Sequence, residues 1–278
     1  MTRARLCMLA LGTAIAVGAA AGAGTPVSVP ADFGVRRSGT ADTVVYSEVI
    51  GEAVNPIDKA TIETQCQTAR QLGLTDGHPV FEPGHDRPLR TESRRFTGAG
   101  RWAVYDTLHT YGCDPAPART PSPEALCACT YRSHAVRHVQ IRKAAGGRIE
   151  TLWIDLAQRT AHRSIIADRS IDDPDAPARR LRTLAPAVVG RDRVAGIACV
   201  LRRQSLSANG WIDRCIADDE AARLHPALRD RALSETTYAD GGRRIEGWSK
   251  ATTLIEDASV DSGVFELPDG MALRDVLQ

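Results

Sequence analysis

The sequence predicts an α+β protein that is mainly antiparallel β, with one sheet packed on one to three helices. Three observations predict it. From Leu89 onward, short runs of alternating apolar and polar residues recur between turns rich in Gly, Asp and Asn. Only one stretch, Ile57–Leu72, repeats its apolar residues at helical spacing. The composition is that of a globular chain: of 278 residues, 43% are hydrophobic and 25% charged. It excludes a disordered polyampholyte, a collagen-like repeat and a multi-span membrane protein. The formal net charge is +1, from 35 Lys+Arg against 34 Asp+Glu. A nucleic-acid binder needs a basic face, so that class is excluded too.

The chain opens with Arg3 and Arg5, an apolar run from Leu6 to about Ala20, and Ala21-Gly22-Ala23. A basic start, a short apolar stretch and a small-x-small site are the features of a secretory signal peptide, with cleavage expected near Ala23. No second run reaches the ~20 apolar residues a bilayer requires. The expected location is therefore periplasmic or secreted, with no transmembrane span in the mature chain. Residues 24–42 carry Pro, Gly and Ser without apolar periodicity and read as a flexible lead-in. Residues 43–278 then form a single domain.

Thr43–Gly73 reads as the helical region, with Ile62, Cys66 and Ala69 on one face of its core and Gly73 as its stop. Asp76–Pro88 holds four turn signals and reads as a loop. Glu92–Thr97 and Arg101–Tyr111 are strands around a Gly-rich turn. Tyr131–Lys143, Arg148–Leu156 and Thr160–Ala167 continue the meander. In Arg148–Leu156, Leu152, Ile154 and Leu156 share one face, opposite Thr151, Trp153 and Asp155. Asp168–Pro186 is polar, a loop leading to a short helix near Ala178–Leu184. Ala198–Leu206 and Trp211–Ala217 form a hairpin around Ser207-Ala208-Asn209-Gly210. A helical turn or two falls in His225–Leu233. Ser234–Tyr238 and Arg243–Ala258 complete the strands.

Six cysteines follow the leader: Cys66, Cys113, Cys127, Cys129, Cys199 and Cys215. An even number in an exported chain reads as disulfides. In the hairpin, Cys199 and Cys215 are expected directly opposite each other, at the ~5.5 Å Cα separation a disulfide needs. Residues 113–129 enclose four prolines and read as an extended loop closed by a disulfide. Cys113 pairs with Cys127 or Cys129, and Cys66 takes the one left over.

The last third, from about 190 to 275, resembles a known family. Val194-Ala195-Gly196-Ile197-Ala198-Cys199 leads into a hairpin whose return strand holds Trp211 and Cys215. The strand Arg243–Ala258 is followed by Val264-Phe265-Glu266-Leu267-Pro268-Asp269-Gly270. This closing string is similar to that of exported bacterial proteins with a LolA/LolB/RseB-like half-barrel. Residues 89–167 share the strand pattern. The resemblance implies a curved half-barrel sheet wrapped around a few helices, and some members carry lipid in the concave face. From the residues alone, Phe265 and Leu267 alternate onto the core and Pro268-Asp269-Gly270 stops a strand.

The function expected is a non-catalytic binding protein for a lipid, another hydrophobic ligand or an envelope partner, without cofactor or metal. Four indoles, Trp102, Trp153, Trp211 and Trp248, fall in strands. Of these, Trp153 and Trp248 lie on mixed faces and are the candidate ligand contacts. Two alternatives carry named residues. An exported enzyme would use histidines such as His109 or His162 as acid/base groups. A metal or redox protein would use Cys127, Cys129, His134 and His138. In a strand, however, His134 and His138 stand ~13 Å apart. His78, Glu82, His85 and Asp86 read as a solvated loop. Asp168–Asp175 lacks the Gly and terminal Glu of a calcium loop. No G-x-S-x-G, Gly-rich phosphate loop or H-E-x-x-H is present.

Overall fold

The computed structural model describes residues 33–37, 44–55, 59–85, 87–98, 100–114, 122–145, 147–166, 187–229 and 231–275. The expected leader 1–23, most of the lead-in, residues 115–121 and the stretch 167–186 with its expected helix lie outside the described residues. The first half of the chain contributes β1 (Arg36–Arg37), β2 (Val44–Ala53), α1 (Lys59–Gln71), β3 (Val80–Phe81), β4 (Leu89–Gly98), β5 (Arg101–Asp114), α2 (Pro123–Cys127) and β6 (Thr130–Ala145). The second contributes β7 (Arg148–Asp155), β8 (Thr160–Ile166), β9 (Ala187–Val194), β10 (Ile197–Ser207), β11 (Gly210–Ala217), α3 (Asp219–Leu224), β12 (Ala232–Ala239), β13 (Arg244–Ser259) and β14 (Ala272–Asp275).

One sheet holds all fourteen described strands. Its path runs β14-β8-β7-β6-β5-β4-β2-β13-β12-β11-β10-β9, with β1 beside β13 and β3 beside β6. Among these strands only β14–β8 and β3–β6 pair in parallel. Mainly antiparallel β with few helices is the fold, and the path is open. Tight turns set the hairpins. Between β9 and β10, Ala195 (φ 47°) and Gly196 (φ 84°) both take positive φ, the geometry of a two-residue turn that matches strand twist.

The expected helix over 43–73 is corrected: its first third is β2. The registers of β2 with β4 run without a slip from Val45 to Ala53. Alternation therefore puts Val44 and Tyr46 on one face and Val49 on the other. Val44 and Tyr46 belong to a cluster with Phe33, Phe96, Ile141, Ile154 and Phe265. Val49 belongs to a second cluster with Val194, Leu233, Ala251 and the Cys199–Cys215 pair. A strand buried on both faces loses its polar alternation and reads as a continuous apolar run. The sheet thus carries its two main cores on opposite faces, and β2 and its neighbour β13, through Ala258 and Ala251, contribute to both. Side chains such as Phe96 and Phe265, fully removed from water, each contribute about 1.5–3 kcal/mol.

Other elements also differ from the sequence reading. The proline loop is not extended throughout. Ser122 caps α2, accepting from the Ala125 amide at 3.3 Å, and Pro123 sits at its first turn, where no amide donor is needed. Asp218 caps α3 in the same way at 2.8 Å, ahead of the expected helical position. Pro226–Leu228 is a single 3₁₀ turn. Ser262–Phe265 is 3₁₀ rather than strand, although Phe265 is buried and Leu267 packs on the same cluster. Strands β9 and β14, edge strands with charged and exposed residues, had no apolar alternation to betray them.

Three disulfides staple the fold: Cys66–Cys127, Cys113–Cys129 and Cys199–Cys215. The open choice in the 113–129 loop falls to Cys129. The hairpin register is corrected by two residues. Cys199 faces Ala217 and Cys215 faces Leu201, so the bridge is diagonal, at a Cα separation of 5.4 Å. Three bridges fit an oxidising, extracytoplasmic compartment. Among the described residues, no helix is long and apolar enough to cross a membrane.

Candidate functional site

Unbroken registers across β2, β4, β5, β6 and β7 fix which side chains share the front face, the one packed around Phe96. One row reads Tyr46–Phe96–Ala103–Ile141–Leu152. The next reads Glu48–Arg94–Tyr105–Val139–Ile154. The third reads Ile50–Glu92–Thr107–Arg137, and His109 lies beside Ala135 one step further. Successive rows stand ~6.6 Å apart. The first row is core. The later rows open into a cleft of about 470 Å³, with Phe33 and Leu156 completing its walls. Its lining passes from apolar (Phe33, Tyr105, Val139, Leu156) to polar (Glu92, Arg94, Thr107, His109, Arg137), and the paired Asp106 and His138, of the alternate parity, border it as well.

The polar side is electrostatically uneven. Tyr46 donates its hydroxyl to Glu48 at 2.7 Å, and Thr253 donates to the other oxygen at 2.8 Å. The Tyr46 hydrogen bond, then Thr253 and the nearby Arg94 cation, hold the Glu48 carboxyl below its usual range against desolvation. Burial and the Glu48 charge push the Tyr46 phenol up. Arg94 also lies over the Phe33 ring, 5.4 Å from its centre. Glu92 pairs with Arg90 at 3.0 Å. Tyr105 donates to the Val264 carbonyl at 2.8 Å, and burial pushes its phenol up to about 12. The Arg137 guanidinium is exposed and has no ion-pair or hydrogen-bond partner among the described residues.

The two candidate tryptophans lie on opposite faces. Trp248 pairs with Glu52, which shares the parity of Tyr46, so it stands on the front face. Its indole N–H donates to Glu52 at 3.1 Å. Trp153 pairs with Gln140 and His162 on the back face and is 41% exposed. Neither lines the cleft. Of the candidate histidines, His109 and His138 both border it, and His162 stands beside Trp153.

His134 and His138 sit four residues apart on the back of β6, and Cys127 and Cys129 are oxidised. On that face Asp106, His138 and Asp155 form a row, but Asp155 accepts from the Ala157 and Gln158 amides, both at 2.9 Å. No group of three metal-ligating side chains is assembled among the described residues.

The loop histidines separate. His78 is exposed, and Glu82 accepts from the Ser133 amide at 2.7 Å. His85, expected in solvent, is instead 3% exposed, ringed by Phe81, Tyr111 and Tyr131. Stacking of the parallel Phe81 and Tyr131 rings, 4.8 Å apart, pulls the loop onto β6. Asp86 and Asp168–Asp175 lie outside the described residues. His225 contacts Glu256 through Nδ1, joining the end of α3 to β13 outside the cleft.

Sequence reasoning missed the arginines of the cleft. Scattered through an Arg-rich chain, they carry no local signature. The signal available was Arg90, Glu92 and Arg94 at alternate positions of one strand, ahead of Phe96.

No protein-family model matches the chain, and no curated protein matches it in sequence. Among solved structures it is similar to an uncharacterized conserved protein from Thermus thermophilus. The TM-score is 0.42 and the identity 9%, over 85% of this chain and 92% of that one.

Proposed function

We propose that the chain is an exported, non-catalytic binding protein for a lipid or another hydrophobic ligand, built on a curled sheet of the LolA/LolB/RseB-like half-barrel kind. The observation that carries this reading is the cleft of about 470 Å³ on the front face, with the half-buried Tyr105 and Thr107 in its lining and the buried Phe33, Val139 and Leu156 behind them. That volume lies in the range of small-molecule sites, which are mostly apolar with a few placed polar groups. Curling of the sheet is supported at its other end. Three strands separate β13 from β9 in the path, yet Ala251 and Val194 share a cluster and Lys250 reaches Asp192 at 3.6 Å. The leader-like start at 1–23 and the three disulfides support export to the periplasm or beyond.

The enzyme alternative draws less support. The His225–Glu256 pair lies outside the cleft, and His109 in the cleft has no carboxylate partner among the described residues. The test is native mass spectrometry of the protein purified from its own envelope. A bound species of lipid mass, released by organic solvent, is the expected result. Apo protein alone, under conditions that retain lipid on a control carrier, would overturn the reading.

A further inference from the structure

We infer that the back face around Trp153 is a second binding site, and that its ligand is a neutral, β-linked glycan of gluco configuration, one sugar ring lying on the indole with its hydroxyls bonded to Gln140 and His162. The site is on the opposite side of the sheet from the cleft and does not depend on what the cleft holds.

The four tryptophans differ in how they are engaged. Trp102 carries the Arg142 guanidinium 4.9 Å from its ring centre. Trp211 is stacked on Tyr238 at 5.4 Å and carries Arg203 at 4.3 Å. Trp248 donates to Glu52 at 3.1 Å. These three are half-buried. Trp153 is 41% exposed and has no ring contact and no side-chain hydrogen bond among the described residues. It presents a flat apolar ring with a polar edge, the form in which tryptophan serves binding surfaces.

Gln140 and His162 stand directly across from Trp153, on β6 and β8. The three side chains therefore form a line ~10 Å long on one face, at ~4.8 Å per strand. Gln140 is half-buried and His162 exposed, and neither side chain has a partner among the described residues. The amide offers donors and an acceptor, and the imidazole a donor and, when neutral, an acceptor. In a pyranose whose hydroxyls are all equatorial, the C–H bonds gather on the ring faces and the hydroxyls point outward from the rim. Such a ring sets its C–H face on the indole and its rim toward the groups on either side. A β-linked chain of these rings is a flat ribbon, which lies along a sheet face, whereas the α-linked chain coils away from it.

Charge favours a neutral ligand. Around this line Arg95 and Arg142 are balanced by Asp106 and Asp155. Arg95 donates to Ser93 at 3.2 Å, Arg142 lies on Trp102, and Asp155 accepts from two turn amides. The face selects neither sign, so a polyanion or a charged lipid head gains nothing there.

The test is calorimetry and tryptophan fluorescence on the full mature chain with cellohexaose, chitohexaose and maltohexaose. Cellohexaose or chitohexaose should bind saturably and shift the indole emission, with maltohexaose about tenfold weaker or worse. The tighter of the two β-linked chains tells whether the ring carries an N-acetyl group. Trp153→Ala should weaken binding about tenfold or more, and Trp153→Phe, which keeps a flat ring, should bind more tightly than Trp153→Ala. Both variants should keep the parent's urea midpoint, because the side chain is exposed. Failure of both β-linked chains to bind, a loss well short of tenfold in Trp153→Ala, or Trp153→Phe no tighter than Trp153→Ala overturns the site and leaves the reading of the cleft standing. Maltohexaose matching the β-linked chains overturns the flat-ribbon geometry. Dodecanol displacing the glycan at equal concentration makes the surface a plain apolar patch and overturns the glycan.

Discussion

Removing the Cys66–Cys127 bridge with C66A/C127A should release α1 from the body of the protein. The helix has 13 residues, short for a helix standing alone in water. Its described anchorage is small: Cys66, Ala69 and Cys127 are buried together, with Ile62 packed against them. The bridge closes a sequence separation of 61 residues. On the chain-entropy model that closure is worth about 4.3 kcal/mol at 25 °C. If the loss falls on docking of α1, its amides should exchange about 10³-fold faster, since each tenfold change is 1.4 kcal/mol. Cys113–Cys129 still ties the end of β5 to the residues after α2, so amides in the β5–β6 ladder should change less than tenfold. Hydrogen exchange resolved by residue reads both. Amides of 59–71 slowed, or accelerated by less than tenfold, would refute the reasoning, because α1 would then hold through contacts other than the bridge.

Phe96→Ala should destabilise the protein by about 3–5 kcal/mol in urea unfolding, because Phe96 is fully buried between Phe33, Tyr46 and Tyr105, with ring centres 5.1–5.9 Å away. Glu48 has its folded-state pKa held below the ordinary value, so its stabilisation is present above that value and is lost as pH falls through the folded one. The stability gap between the parent protein and Glu48→Gln should therefore shrink as pH drops below about 4.5, and acid titration of both proteins checks it. Tyr105 has the opposite sign: with its pKa raised from 10.0 to about 12, stability is intact below 10 and falls as pH rises toward 12. Tyr105→Phe should flatten that alkaline loss, and the ultraviolet titration of the parent should lose one late-ionising phenol.

Much of the β meander was legible, because half-buried antiparallel strands alternate. In β7 the buried Leu152 and Ile154 alternate with the exposed Trp153 and half-buried Asp155 ahead of a turn. The disulfide partners were nearly legible for the same reason, since hairpin geometry and loop closure leave few pairings. Other elements were hidden by physics that a local window does not contain. Val44–Ala53 read as helix because two cores bury it from both sides. His85 read as surface because only the fold brings Phe81, Tyr111 and Tyr131 around it. The cleft was the least legible part. Arg94, His109 and Arg137 come from three strands, and only the registers of β4, β5 and β6 put them on one face. The tryptophans drew attention through their size, yet a one-residue change of parity sends Trp153 to the back and Trp248 to the front.

Photoaffinity mapping with a diazirine-bearing dodecanoate asks most directly which side of the sheet holds the ligand. Adducts on Tyr105, Thr107 and Ala135 are the outcome this account predicts. Adducts on Val104, Gln140, Trp153 or His162 instead would place the ligand on the back face and contradict it.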